Sequence, residues 1–277
     1  MTPRNPVVEF GKALLRVTSK LAGNQWCQSL LEKALPAAQY LQGIGSGEDV
    51  ASSGETALIS KAVHAARSDG RKLCIFDVGA NTGQFLTLAC EALKGRQFSL
   101  YSFEPGAEAF RRLSETARKH ANVTLNNFGL GRERGEQELF YDAAGSALAS
   151  LTKRRLAHFG IEMGVSEKVR IETLDDYCRL AGIEYIDLLK LDVEGHELDV
   201  LNGASQMFRD SRIGMVTFEF GGCNIDTRTF VQDFFYFFAD QKMRIARITP
   251  SGYFYELRSY SEILEQFRTS NFVCYRP

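Results

Sequence analysis

The sequence predicts an α/β fold, a doubly wound and mostly parallel sheet preceded by a helical extension, and three observations carry this reading. From Lys72 onward, short apolar runs rich in Ile, Val and Phe alternate with segments of helical period, the signature of repeated strand–helix units. The first run, "LCIFDV", breaks into Gly79, Ala80, Asn81, Thr82 and Gly83 before apolar periodicity resumes. Such a turn serves a chain that must reverse tightly or let a ligand approach its backbone, and glycine suits both. Before about Arg67 the pattern is helical instead.

In that first part Val7, Phe10, Leu14, Val17 and Leu21 share one helix face, and "CQSLLEKALPAAQYL" and "ETALISKAVHAAR" repeat the pattern around a connection, "GIGSGEDVASSG", that reads as flexible. Lys12, Arg16 and Lys20 lie on the polar side of the first helix. They form either a solvated face, on a helix packed against the main domain or a second copy of the chain, or a peripheral contact with a membrane surface. The expected division is a helical extension over 1–70 and a main domain over 71–277.

In the main domain, strand "LCIFDV" leads to helix "GQFLTLACEALKG" and strand "FSLYSFEP" to helix "GAEAFRRLSETARKHA"; strand "NVTLNNFGL" closes the first half. A hairpin is expected around "QELFYD". Thr173 or Asp175 opens a short helix, "TLDDYCRLAGI". Strand "IDLLKLDV" precedes helix "GHELDVLNGASQMFRD", and strand "GMVTFEF" precedes helix "DTRTFVQDFFYFFADQ", whose phenylalanines Phe230, Phe234, Phe235, Phe237 and Phe238 fit one broad buried face. A meander of "KMRIARIT", "GYFYEL" and "FVCYRP" ends the chain.

Composition narrows the function. With 277 residues, 44% of them hydrophobic, the chain is large enough for one full core. A formal charge of -1 gives no global field for collecting nucleic acid, so none is expected as a partner. The six cysteines never stand at CxxC spacing and read as reduced thiols of a cytoplasmic protein; no apolar run is long enough to span a bilayer, and charges at Glu9, Lys12 and Arg16 interrupt any signal-peptide core.

Parallel sheets bind ligands outside the carboxyl ends of their strands. Here those ends are Asp77 to Gly83, Glu104 with Pro105, Asn126 to Gly129, Asp192 to Gly195, and Glu219 to Asn224. An acid just past the second strand, Glu104, suits a ribose diol, because a carboxylate accepts both hydroxyl hydrogen bonds; the same residue also suits the dipole of the following helix. The turn lacks the GxGxxG spacing of a pyrophosphate cradle, and Asp77 is a poor neighbour for phosphate. It is a good neighbour for the cationic amino-acid part of S-adenosylmethionine, which carries a ribose and no phosphate. The expected cofactor set is Asp77, Gly79, Ala80, Asn81, Gly83, Glu104, Pro105, Asn127 and Asp192.

The segments "FDVGANTGQF", "FEP" (Phe103 to Pro105), "TLDDY" (Thr173 to Tyr177) and "DLLKLDVEGHELDVLNGA" (Asp187 to Ala204) together resemble the FkbM-type methyltransferases, in family order across roughly three quarters of the chain. The resemblance implies a class I, Rossmann-like methyltransferase fold of seven strands with the last antiparallel, here "FVCYRP". It further implies methyl transfer to a hydroxyl of a sugar, glycan or related small molecule. His196 departs from the alanine common in the family at that position. Displacement at the methyl carbon needs a group to take the acceptor proton, and Asp192, Glu194 and His196 are the candidates. Asp192, Glu219 and Asn224 are the candidate oxygen ligands if magnesium assists. Lys153, Arg154 and Arg155 form either a site for an anionic acceptor or a solvated loop. The rival functions are a non-catalytic scaffold that keeps the fold and a nicotinamide-dependent oxidoreductase.

Overall fold

The computed structural model describes residues 18–47, 54–66 and 72–277. The first amphipathic face, Val7 to Val17 with Lys12 and Arg16, lies outside the described residues, as do 48–53 of the glycine-rich connection.

Alternation of apolar runs and helical period produces the expected sheet. Strands β1 (Leu73–Val78), β2 (Phe98–Phe103), β3 (Val123–Asn126), β7 (Ile186–Leu191) and β8 (Ile213–Phe220) are parallel, and β11 (Ser270–Tyr275) runs antiparallel beside β8, as expected for the terminal "FVCYRP". The order is β3-β2-β1-β7-β8-β11-β9-β10, with β9 at Arg244–Ile248 and β10 at Phe254–Glu256. The sheet therefore has eight strands rather than seven. The eighth arises because the Thr249 amide donates to the Tyr253 carbonyl at 2.9 Å and Gly252 takes φ +75°, folding three residues back as an edge on β9.

A second sheet, ordered β4-β6-β5, covers one end of the first: β4 is Gly129–Leu130, β5 Gly135–Tyr141 and β6 Val165–Glu172. One expectation changes here: the run "NVTLNNFGL" divides at Asn127, its second half leaving the main sheet to pair with β6. "QELFYD" lies in β5, which pairs antiparallel with the next strand, β6, across a long connection.

Helices α3 (Gln84–Ala92), α4 (Ala107–Ala117), α5 (Leu174–Ala181), α6 (Glu197–Asn202), α7 (Ser205–Arg209), α8 (Cys223–Thr227) and α9 (Val231–Asp240) connect the strands. Thr173 caps α5 by accepting the Asp176 amide at 3.2 Å; Asp175 instead accepts the amides of Gln206 and Met207 at the start of α7. The single helix expected over "GHELDVLNGASQMFRD" is two, because at Gly203 a Cβ would lie 2.0 Å from the Gly131 carbonyl oxygen and the chain steps aside there. "DTRTFVQDFFYFFADQ" likewise divides into α8 and α9. Phe234 and Phe238 of α9 stack on Phe218 inside the core, with centroids 4.4 and 5.8 Å away, whereas Phe230 is exposed ahead of the helix.

The two helices before β1 behave differently. Leu58, Ile59, Ala62 and Val63 of α2 (Glu55–Ala66) share a core with Leu73 and Ile75 of β1, so this helix covers the sheet. Helix α1 (Gln25–Leu41) buries no residue. The connection after it is anchored in its described part: Gly45 and Gly47 donate to the Thr269 carbonyl at 2.8 and 3.3 Å, and Ile44 is buried.

Candidate active site

The carboxyl ends of β1, β2, β7 and β8 open into a cavity of about 620 Å3. Register dictates what faces it. Asp77 lies beside Lys190 and Lys190 beside Thr217. Side chains alternate along a strand, so Gly79 and Asp192, just past the ends of β1 and β7, and Glu219, near the end of β8, form the next row on the same face. Gly79 is obligatory in that row: φ is +82°, and a Cβ would stand 1.8 Å from the Asp192 carbonyl oxygen.

Four amides of the turn after β1 are committed within the protein. Gly79 and Ala80 donate to the Phe103 carbonyl at 3.0 Å each, Gly83 donates to the Ala80 carbonyl at 2.9 Å, and Asn81, at φ +44°, donates to Glu104 Oε2 at 2.9 Å. The other oxygen of Glu104 accepts the Gly106 amide at 2.8 Å. Burial raises the Glu104 carboxyl to about 7 against the pull of these two amides.

Beneath the turn, Asp77 is fully buried and neither of its oxygens has a hydrogen-bond partner. Burial raises it to about 6, opposed by Lys190, whose Nζ lies 3.8 Å from Oδ1. The same ammonium donates to Asp192 Oδ2 at 2.9 Å. Desolvation lowers the Lys190 pKa, but Asp192, Asp77 and Glu55 together outweigh it and keep the group charged. Lys190 thus pairs with Asp192 and Asp77; Asp187 turns away to accept the Cys74 amide at 2.8 Å.

Beyond β7 the backbone turns through Glu194 at φ +52° and Gly195 at φ +98°. Glu197, not Glu194, holds this loop, accepting the amides of Val193 and Gly195 at 3.1 and 3.2 Å. Glu194 pairs with Arg154 NH1 at 2.5 Å, and burial raises its carboxyl to about 8 even so. His196 sits between two partners, with Nδ1 3.0 Å from Asp199 Oδ2 and Nε2 3.0 Å from Thr152 Oγ1. Burial and the charges of Asp192, Glu194 and Glu197 push Glu219 well above the usual carboxylate range.

The segment from Ser146 to Ile161 forms the opposite wall. It is tied down by Ser150 Oγ, which donates to the Glu194 carbonyl at 2.9 Å, and by Arg154. Arg154 is therefore turned inward and neutralised by Glu194 and Asp226, while Lys153 and Arg155 remain exposed. In sequence these three form one basic group; the carboxylates that separate them, Glu194 and Asp226, are far along the chain and leave no local signal.

Asp77, Gly79, Ala80, Asn81, Glu104, Pro105, Asp192, Glu194, His196 and Glu219 thus come together at one cavity. Gly83 stands behind it, where a Cβ would press on Leu113 and Thr116 of α4 at 3.0 and 3.1 Å. Asn127 does not reach it: the side chain is exposed and donates to the carbonyls of Glu104 and Pro105 at 3.0 and 3.2 Å. Nor does Asn224, which is buried with Oδ1 accepting the Gly221 amide at 2.8 Å and its own amide donating to Thr229 Oγ1 at 2.7 Å. The oxygen set Asp192, Glu219 and Asn224 is not assembled, and among the described residues no group of three or more His, Cys, Asp or Glu is arranged for a metal ion.

A sheet of this order, with an acid at the end of β2, a glycine turn after β1 and an antiparallel strand beside β8, defines a class I methyltransferase fold. Residues 77–259 match the family model described as the Methyltransferase FkbM domain, and the chain belongs to that family. It is similar to the AMB antimetabolite synthetase AmbE of Pseudomonas aeruginosa, 31% identical over 164 residues, covering 47% of this chain and 7% of that protein. It is similar also to the 2-O-methyltransferase NoeI of Sinorhizobium fredii, 28% identical over 153 residues, covering 50% of this chain and 60% of the relative. The hexuronic acid methyltransferase AglP of Haloferax volcanii is 26% identical over 148 residues, 53% of this chain and 56% of the relative. The matches thus span less than two thirds of each of these relatives.

Proposed function

We propose that the protein is an S-adenosylmethionine-dependent O-methyltransferase acting on a hydroxyl of a sugar, glycan or related small acceptor. The observation that carries this reading is the commitment of the turn amides. Gly79, Ala80, Asn81 and Gly83 all donate within the protein, so these four amides are not free to cradle a pyrophosphate, which argues against a nicotinamide dinucleotide. What faces the cavity instead is carboxylate, suited to hydroxyl donors and to a cation. Bound S-adenosylmethionine supplies a methyl carbon already activated by its sulfonium.

The chain's residues divide the remaining tasks. Glu104, positioned by two amides, keeps lone pairs for ribose hydroxyls. Asp77 and Lys190 form a buried charge pair that fixes Asp192. Asp192, the least enclosed carboxylate of the row, accepts the acceptor proton. Glu194 and His196 are held by Arg154 and Asp199 to orient the acceptor. The activities of NoeI and AglP, both methyltransferases and the latter of a hexuronic acid, support a sugar-like acceptor. A cofactor of this kind and unpaired cysteines suit a cytoplasmic setting.

Transfer of labelled methyl from S-adenosylmethionine to a panel of neutral, amino and uronic sugars tests the reading. Asp192→Asn is expected to act mainly on turnover, cutting it by about 10²–10⁴-fold, the usual share of a proton-accepting group, with a far smaller loss of cofactor affinity. Unchanged turnover on the acceptor would remove Asp192 from the role. An enzyme that binds cofactor and methylates nothing in the panel would favour the scaffold.

Glu104 gives the cofactor step a pH signature. Only its ionised form accepts two ribose hydroxyls, and its pKa in the free protein is about 7. Binding favours the carboxylate, so a proton leaves on binding at lower pH, and affinity falls by up to about tenfold per unit as pH drops below 7. Calorimetry in buffers of different ionisation heat measures that proton. Glu104→Gln should abolish the release along with most of the affinity.

A further inference from the structure

We propose that the acceptor is an oligosaccharide or glycan chain, and that a second cavity beside the first holds the sugar unit next to the one that is methylated. The proposal rests on the methyltransferase reading and extends it beyond the reacting unit.

The second cavity, about 310 Å3, lies where the small sheet meets the loop after β7. Its volume falls within the range of about 300–1,000 Å3 that small ligands fill. Leu130, Leu151 and His196 line both this cavity and the larger one, so the two adjoin at these residues. Three separate parts of the chain build it. Arg132, Glu133 and Gln137 come from the β4–β5 connection and β5, Leu151 from the wall segment, and His196 and Asp199 from the start of α6.

The chemistry of the lining selects a sugar. A row of polar contacts ties the shared wall together: Thr152 Oγ1 lies 3.0 Å from His196 Nε2, His196 Nδ1 lies 3.0 Å from Asp199 Oδ2, and Arg132 NH2 lies 3.2 Å from Asp199 Oδ1. Arg132 and Asp199 thereby offset each other, and neither calls for an ionic ligand. Among the described residues, the side chains of Gln137 and Glu133 are engaged by no other side chain. They supply what sugar hydroxyls need, an amide that both donates and accepts and a carboxylate that accepts twice. Leu130 and Leu151 add apolar surface for the C–H face of a ring. The charge left over in the lining is the Glu133 carboxylate, which admits a neutral or amino sugar and opposes a uronic acid or a phosphate at this position. Contacts made by a unit outside the reaction centre hold the reacting hydroxyl in place, so they raise kcat/KM.

The experiment compares each monosaccharide of the acceptor panel with disaccharides that carry it at either end, both in labelled-methyl transfer and in calorimetric titration of the S-adenosylhomocysteine complex. The preferred disaccharide is expected to exceed its monosaccharide about tenfold or more in kcat/KM and in affinity, the share of one or two added hydrogen bonds. Gln137→Trp, which fills the second cavity from an exposed strand position, should erase that preference. Gln137→Ala, which removes only the amide, should erase part of it, and the melting temperatures of both variants check the fold. Equal treatment of the two lengths, or a preference that survives Gln137→Trp, overturns this proposal and leaves the methyltransferase reading standing. A protein that binds S-adenosylhomocysteine but neither binds nor methylates a sugar of either length overturns the sugar acceptor and this proposal together. Failure to bind S-adenosylhomocysteine overturns the methyltransferase reading itself, and the proposal falls with it.

Discussion

Gly79→Ala is expected to weaken cofactor binding by about 100-fold or more while the protein still folds. The new methyl would stand 1.8 Å from the Asp192 carbonyl oxygen and 3.4 Å from Val193, and its partner is backbone, which cannot rotate away. Relief requires the ends of β1 and β7 to part, and those ends carry Asp77, Lys190 and Asp192. Overpacking of this kind costs about 1–3 kcal/mol, which a domain of this size survives. A displacement near 1 Å at a site that depends on position costs on the order of 100-fold in function. The S-adenosylhomocysteine affinity should therefore fall by at least that factor, measured well below the lowered melting temperature. Gly95→Ala is the matched control: its φ is +79° and a Cβ there meets nothing within 4 Å, so it bears the same backbone strain without the clash. Equal losses in the two variants would show that strain, not the approach of β7, explains the glycine.

The second large effect belongs to Lys190. Replacing it with Met leaves Asp77, fully buried and without a hydrogen bond, facing Asp192 and Glu55 with no cation between them. Breaking one partner of a buried pair costs about 3–5 kcal/mol, which for a chain of this length lowers the melting temperature by roughly 10 °C. The pH dependence fixes the cause. The folded pKa of Asp77 is already raised to about 6 from 3.8, so the native state holds a proton the unfolded state has lost, and stability falls as pH rises between those values. Without Lys190 the folded pKa climbs further, so the variant should lose more stability at pH 8 than at pH 5. Lys190→Met with Asp77→Asn removes both charges and should recover most of the loss. Failure of the double variant to recover would mean that Lys190 acts through its packing on Phe85, 5.5 Å from its ammonium, and not through Asp77.

Much of this site was legible because its residues sit within short segments. "DVGANTG" gives a strand, its acid and the left-handed turn in one reading, and "DLLKLDVEGH" places Lys190 and Asp192 two residues apart, hence on one face. What escaped depends on partners far along the chain. Arg154 looks like part of a solvated basic run until Glu194 and Asp226 close on it. Asn224 looks available to a metal until Gly221 and Thr229 use both ends of its amide. Gly203 resembles a tolerated helix glycine, and only the approach of the Gly131 carbonyl shows why the helix stops. Strand β10 is three residues long, too short for alternation to declare itself. The part of "GIGSGEDVASSG" up to Gly47 reads as a linker from its composition, yet the Thr269 carbonyl draws it onto the cavity wall.

Calorimetric titration of the full chain with S-adenosylhomocysteine and, separately, with NAD tests the central claim most directly, since the carboxylate-lined cavity and the committed amides of Gly79, Ala80, Asn81 and Gly83 distinguish the two. The expected result is binding of S-adenosylhomocysteine at micromolar affinity, about -8 kcal/mol, with proton release below pH 7 and no heat from NAD. Binding of NAD, or of neither ligand, would contradict it.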